Sequence, residues 1–203
     1  MIELLIATKN KGKVREIKVL LKGLPLKITS LADYPDIPPV EEDGQTFIQN
    51  ALKKAVTAAL YTGKLTLGED SGLEVKALNN APGIYSARFS GVGATDEKNN
   101  RKLLRSLKKI PLNKRQVQYR CAAALVDKKK IIAVTSGTVK GLIGSKEKGT
   151  NGFGYDPLFI VPKYQKTFGE LPDEIKAQIS HRARALRKIK KSLEKYLLKD
   201  QKF

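Results

Sequence analysis

Gln116-Val117-Gln118-Tyr119-Arg120-Cys121-Ala122-Ala123-Ala124-Leu125-Val126, then Asp127-Lys128-Lys129-Lys130, then Ile131-Ile132-Ala133-Val134-Thr135-Ser136-Gly137-Thr138-Val139-Lys140: two long β-type runs flank a short charged turn. The pattern predicts a hairpin. Upstream the period differs. Ile2 to Ala7 reads as a buried strand, and Gly12 or Lys13 to Lys22 as a helix with Val14, Ile17, Leu20 and Leu21 on one side. Leu26 to Ser30 reads as a second strand, followed by a Pro-rich acidic loop from Tyr34 to Val40. Thr46 to Tyr61 is a predicted helix whose buried stripe is Phe47, Ala51, Leu52, Ala55 and Ala59, stopped by Gly63. Strands at Leu65 to Glu69 and Leu73 to Val75 flank a Ser71-Gly72 break, and Thr95 caps a basic helix from Asp96 to Lys109 that Pro111 ends. Beyond the hairpin come a Gly-rich loop from Gly141 to Gly152 and a short strand from Pro157 to Val161. Ser180 is placed to cap a last helix with Leu186, Ile189, Leu193 and Leu197 on its apolar stripe. Strand–helix units combined with a long hairpin predict an α/β fold with a mixed sheet, as one domain over residues 1–203.

Composition limits the chemistry. The 203 residues include one Cys and one His, which exclude an internal disulfide and a His/Cys zinc site within one chain. Any metal should therefore be held by oxygen. The longest uninterrupted apolar stretch, Cys121 to Val126, is far short of a membrane span. Met1-Ile2-Glu3 leads into Leu4 without a basic n-region or a signal-type apolar core, so the expected location is the cytoplasm. The net charge is +19, and residues 181–203 carry nine bases against Glu194 and Asp200, a net +7. Only Tyr196 and Phe203 are aromatic in that stretch, which offers little for base stacking. A solvated, lysine-rich helix face is favoured there over a nucleic-acid surface.

Against this positive background the acids cluster in two islands. One spans Asp33, Asp36, Glu41, Glu42 and Asp43, with no Lys or Arg between Leu31 and Leu52. The other is Glu69-Asp70, at the end of the apolar run Leu65-Thr66-Leu67-Gly68. Carboxylates held apart from an excess of bases fit a hard cation that bridges them to phosphate oxygens. A solvated acidic loop and an acidic strand end fit equally well. Thr8-Lys9-Asn10-Lys11-Gly12-Lys13, between a strand and a helix, fits phosphate binding at a helix N-terminus and also a plain turn with surface lysines. It is not a Walker A loop, and Gly91-Val92-Gly93-Ala94-Thr95-Asp96 is not a dinucleotide fingerprint.

Six motifs then occur in one order: Ala7 to Lys13, Thr46-Phe47-Ile48-Gln49-Asn50-Ala51, Glu69-Asp70-Ser71-Gly72-Leu73, Ala81-Pro82-Gly83-Ile84-Tyr85-Ser86-Ala87-Arg88, Gly152-Phe153-Gly154-Tyr155-Asp156-Pro157 and Ser180-His181-Arg182. Together they resemble the inosine triphosphate pyrophosphatase family over roughly residues 2–190. The resemblance implies an elongated mixed β-sheet flanked by helices with a central nucleotide cleft, and a homodimer. It implies Mg²⁺-dependent hydrolysis of non-standard purine nucleoside triphosphates (ITP, dITP, XTP) to the monophosphate and pyrophosphate. Thr8, Lys9, Asn10, Lys11, Gly12 and Lys13 would bind the triphosphate, with Ser71 beside the substrate. Asp70 would be general base and metal ligand, and Glu41 the second metal ligand, with Glu42 and Glu69 in reserve. Phe153 would stack on the purine, Gly154, Tyr155 and Asp156 would shape the pocket, and Lys176, His181 and Arg182 would approach the base edge. Donors facing the 6-oxo group of hypoxanthine or xanthine would meet the amino donor of adenine and reject it.

Ordinary readings stand beside these. His181 just after an N-cap fits a satisfied first-turn residue, so its implied role is substrate contact rather than proton transfer. Phe153 and Tyr155 also fit core aromatics near a glycine turn, and Lys53 and Lys54 fit a solvated helix face better than a reach toward the phosphates. Gln49 stands where many relatives of that family carry Glu, which leaves metal stoichiometry open. Two other functions compete: a related-fold pyrophosphatase acting on pyrimidine or modified nucleotides, and a basic nucleic-acid-binding protein, which would not explain the acidic islands.

Overall fold

The computed structural model describes residues 2–200, with the side chains of Lys199 and Asp200 left aside. Met1, Gln201, Lys202 and Phe203 lie outside the described residues, and with them part of the basic C-terminal run. Among the described residues, seven strands and five α-helices follow in the order β1 (Ile2–Ile6), α1 (Lys11–Leu20), β2 (Leu26–Ser30), α2 (Phe47–Thr62), β3 (Leu65–Val75), α3 (Asp96–Ser106), β4 (Gln116–Asp127), β5 (Lys130–Ile143), β6 (Phe159–Val161), β7 (Lys166–Thr167), α4 (Asp173–Ile179) and α5 (His181–Asp200). The strands are hydrogen-bonded in the order β2-β1-β3-β4-β5-β6-β7. β1 pairs in parallel with β2 and β3, whereas β6 pairs antiparallel with β5 and β7. The sheet is therefore mixed, and helices flank it, as the strand–helix units and the hairpin predict. The hairpin turn is two residues long, with Lys128 at φ 51°.

The chain packs as two compact units, one of residues 1–70, 121–137 and 182–203, the other of residues 71–120 and 138–181. In the first, side chains alternate across the sheet as strand geometry requires. Leu4 and Ile6 of β1 and Leu65 and Leu67 of β3 pack with Ile17 and Leu21 of α1 and with Ala185, Leu186, Ile189 and Leu193 of α5. On the opposite face, Leu5 and Ala7 pack with Ala58 of α2 and with Ile37. The expected α5 stripe is buried, while Arg184, Arg187, Lys188, Lys191 and Lys195 are exposed. In the second unit Leu73, Leu103, Leu107, Val117, Tyr119, Tyr155, Phe159 and Phe168 share one core.

Several boundaries differ from expectation. β3 runs unbroken through Ser71-Gly72. The Leu73 amide donates to the Ser86 hydroxyl at 2.8 Å, and a strand with neighbours on both sides keeps an extended backbone that local turn propensity would release. β5 continues to Ile143, because Leu142 and Ile143 pair with Ile160 and Phe159, so the Gly-rich loop starts at Gly144. α3 ends at Ser106, three residues early, and Leu52 is only half-buried while Lys54 is buried. β7 and α4 were too short to stand out by period, although Pro172-Asp173-Glu174 is a helix-start pattern.

α2 lies unusually close to β3. A Cβ added to Gly68 would fall 2.1 Å from the Ala51 carbonyl oxygen and 2.7 Å from the Ala55 amide nitrogen. Ala51, Ala55, Ala58 and Ala59, all fully buried, form the face that permits the approach. Gly68→Ala should push α2 outward and cost about 1–3 kcal/mol, the usual range for overpacking. Urea unfolding of the variant beside the wild type measures this, and an unchanged midpoint would show that α2 can shift freely.

Near the start of the acidic loop, Glu3 ties β1 to three partners. It accepts from Thr29 Oγ1 at 2.9 Å and Lys64 Nζ at 2.8 Å, and also from the Tyr34 hydroxyl. Lys64 first, then Tyr34, hold its carboxyl down at about 2 from the ordinary 4.5. Its stabilisation is thus present above about pH 4.5 and is lost as the pH falls through about 2. Glu3→Gln should destabilise by about 1 kcal/mol at pH 7, a solvent-screened value, and match the wild type near pH 2. Equal unfolding midpoints at pH 7 would contradict this.

Candidate active site

Glu69 and Asp70 are adjacent in a strand and therefore point to opposite faces of the sheet. Asp70, 4% exposed, faces α2. Its carboxylate accepts from Asn50 Nδ2 at 3.2 Å and from Lys54 Nζ at 2.9 Å. The same ammonium lies 2.9 Å from Glu42 and 3.3 Å from the Glu69 carbonyl oxygen. One turn of α2 thus gathers the end of the acidic loop: Glu42 on Lys54, Asp43 on Lys53 at 2.6 Å, and the Gly44 amide on Asn50 Oδ1 at 2.8 Å. Glu41 is exposed, and the neighbouring Glu42 is the loop acid that meets Lys54. Burial pushes the Asp70 carboxyl above its ordinary value, with Lys54 and Lys13 pulling against it. Burial also opposes charge on Lys54, but Asp70 and Glu42 together outweigh it and raise its pKa.

Gln49 accounts for itself differently. It sits at the third position of α2, and its Oε1 accepts from the Gln45 and Thr46 amides at 2.8 and 3.1 Å. Thr46 in turn accepts from the Gln49 amide at 3.2 Å, which completes a capping box. Among the described residues no three His, Cys, Asp or Glu side chains converge on one point. Two donors that a hard cation could use, Asp70 and Glu42, have oxygens that both lie 2.9 Å from one cationic nitrogen. Two carboxylates suit Mg²⁺, which keeps waters and substrate phosphates as its other ligands.

The β1–α1 turn leads into a capped helix N-terminus. Asn10 caps α1 by accepting from the Lys13 amide at 2.9 Å, and its own amide donates to Thr8 Oγ1 at 3.2 Å. Lys9 and Lys11 are exposed, and Gly12 is half-buried. Lys13 is instead drawn to Glu69 at 2.8 Å. Glu69 is a buried node on this face. It also meets Arg182 Nη2 at 3.1 Å and accepts from the Cys121 thiol at 3.2 Å, and Arg182 additionally pairs with Glu16 of α1. Burial, then Glu69, push the Cys121 thiol well up, so it is no nucleophile. Glu69, with Lys13, Arg182 and Cys121 around it, is not turned toward Glu42. Arg182, expected at the base edge, has its guanidinium on these acids.

The remaining expected residues lie in the second unit. Gly152, at φ 78°, begins the turn, and a Cβ there would fall 2.1 Å from Asp156 Oδ2. Asp156 accepts from the Phe153 amide at 2.9 Å and from Lys176, while the Gly154 amide donates to Asp96 at 2.7 Å. Phe153 is half-buried with the Lys176 ammonium 4.8 Å from its ring centroid. Tyr155 is a core residue, donating from its hydroxyl to the Ser86 carbonyl at 2.8 Å. His181 stacks on Tyr119 with centroids 4.5 Å apart, and Tyr119 stacks on Phe159 at 4.9 Å. Ser71 is half-buried on β3 beside Asp70. Residue-by-residue reading missed Asn50 and Lys54 as partners of Asp70, and Asp96 and Asn100 as supports of the 153–154 backbone. The signal for the first pair was the i, i+4 spacing on the face of α2 that also carries Ala51, Ala55 and Ala58.

Comparison with known proteins identifies the family and the fold. A model of the Ham1 family matches residues 4–192. A protein named dITP/XTP pyrophosphatase from Geobacter sulfurreducens is 51% identical over 193 residues, covering 95% of this chain and 97% of that one. Among solved structures, a HAM1 protein from Coxiella burnetii is 37% identical with a TM-score of 0.86, covering 96% of this chain and 100% of that one. The Ham1 protein of Staphylococcus aureus is 41% identical with a TM-score of 0.83, covering 96% and 99%.

Proposed function

The chain belongs to the Ham1 family, and from that membership we propose that it is a nucleoside triphosphate pyrophosphatase acting on dITP, ITP and XTP. The observation that carries the reading is the Glu42–Lys54–Asp70 set, two acids around one cation, in the same unit as a lysine-rich helix N-terminus. That is the equipment for cleaving a phosphoanhydride. Asp70, together with the loop acids Glu41 and Glu42, would hold Mg²⁺, which when bound neutralises phosphate charge and orients a water. Asp70 accepts the proton of the attacking water, and it needs no raised pKa where a bound metal would already acidify that water. The water oxygen bonds to one phosphorus as the α–β bridge breaks, giving a nucleoside monophosphate, pyrophosphate and a proton.

The amides at the start of α1 and the Lys9 and Lys11 ammonium groups bind the triphosphate, with Thr8, Asn10, Gly12, Lys13 and Ser71 completing the set. Phe153 stacks on the purine, and Gly154, Tyr155, Asp156, Lys176 and His181 form the base-reading group. Arg182, held by Glu16 and Glu69, completes the base-reading group beside His181. We place the enzyme in the cytoplasm as a homodimer, and no helix among the described residues is long and apolar enough to cross a membrane. Product analysis by phosphorus NMR tests the bond cleaved. Inosine monophosphate and pyrophosphate are expected from ITP, whereas inosine diphosphate and orthophosphate would refute the reading.

A further inference from the structure

Lys54 holds the position between the two carboxylates that a divalent cation would neutralise. Its three ammonium protons have three acceptors: Glu42 and Asp70 at 2.9 Å each and the Glu69 carbonyl oxygen at 3.3 Å. It is 7% exposed, so water screens these contacts little. Its backbone lies close against β3, because α2 rests on Gly68 at the limit of backbone approach. A divalent cation entering beside Glu42 and Asp70 would meet a fixed positive charge within a few ångström. The side chain itself can still swing, since four rotatable bonds carry the ammonium.

We infer that Lys54 is a built-in counter-ion of the substrate-free enzyme, and that metal enters the Glu42–Asp70 pair when an incoming triphosphate draws the ammonium away. The inference rests on the metal reading given above. It makes Lys54 a positioning residue that keeps two buried carboxylates together without metal and couples metal binding to substrate binding. An enzyme built this way does not hold a divalent ion in wait. Metal and triphosphate bind together, each raising the affinity of the other.

Titrating the nucleotide-free protein with Mn²⁺, followed by electron paramagnetic resonance, tests this without turnover. Lys54→Met should bind Mn²⁺ at least about fivefold more tightly than the wild type, the lower end of ordinary site-to-site coupling. Lys54→Gln should show the same gain and decides the matter if the Met variant does not fold. Lys54→Arg, which keeps the charge, should show none. No gain in either neutral variant, with Mn²⁺ binding still lost in Asp70→Asn, overturns the inference and leaves the metal reading standing. Binding that neither Asp70→Asn nor Glu42→Gln alters removes both.

Discussion

Asp70→Asn should lower pyrophosphate release by roughly 10²–10⁴-fold, the range for loss of a positioned general base. The substitution is nearly isosteric and removes the proton acceptor along with one of the proposed metal ligands. Its effect on folding should be small. Lys54 keeps Glu42 and the Glu69 carbonyl, and a neutral side chain is cheaper to bury than a carboxylate that burial already pushes toward protonation. Turnover and thermal unfolding measured on the same preparation separate chemistry from stability. A folded Asp70→Asn enzyme with wild-type turnover would move the base elsewhere.

The second large effect is expected on the other face of β3. Glu69→Leu removes the acid that meets Lys13, Arg182 and Cys121. Arg182 is 1% exposed and would retain Glu16 as an acidic partner. Breaking a buried pair by deleting one partner costs about 3–5 kcal/mol, because the other charge stays buried. A urea midpoint well below that of the wild type is the expected result. Lys13 is released at the same time, so triphosphate affinity should change even where the protein remains folded. An unchanged midpoint would mean that the cluster is solvated in solution and contributes little.

The contrast between Glu69 and Asp70 shows what could be read from the chain. Their shared motif marked the site, but only the strand's alternation assigns one acid to α2 and the other to α1 and α5. The unbroken β3 that fixes this alternation was hidden by Ser71-Gly72, a local turn signal overridden by strand neighbours. β2, the Thr95 cap, the hairpin and the α5 stripe were legible because each rests on a local pattern of period or capping. Lys54 was not. Beside Lys53 it reads as a solvated face, and its partner Asp70 is 16 positions away in sequence. Glu42 rather than Glu41 faces that lysine, a one-residue choice in an irregular loop with no period to decide it. Gln49 reads as a lost acid by resemblance, whereas its place in the capping box gives it a structural task that an amide performs.

Pyrophosphate release from ITP, dITP and XTP, measured with Mg²⁺ beside ATP and GTP at equal concentration, tests the central claim most directly. The account predicts turnover of the first three and little of the last two. Hydrolysis of ATP at the same rate, or of no purine triphosphate at all, would contradict it.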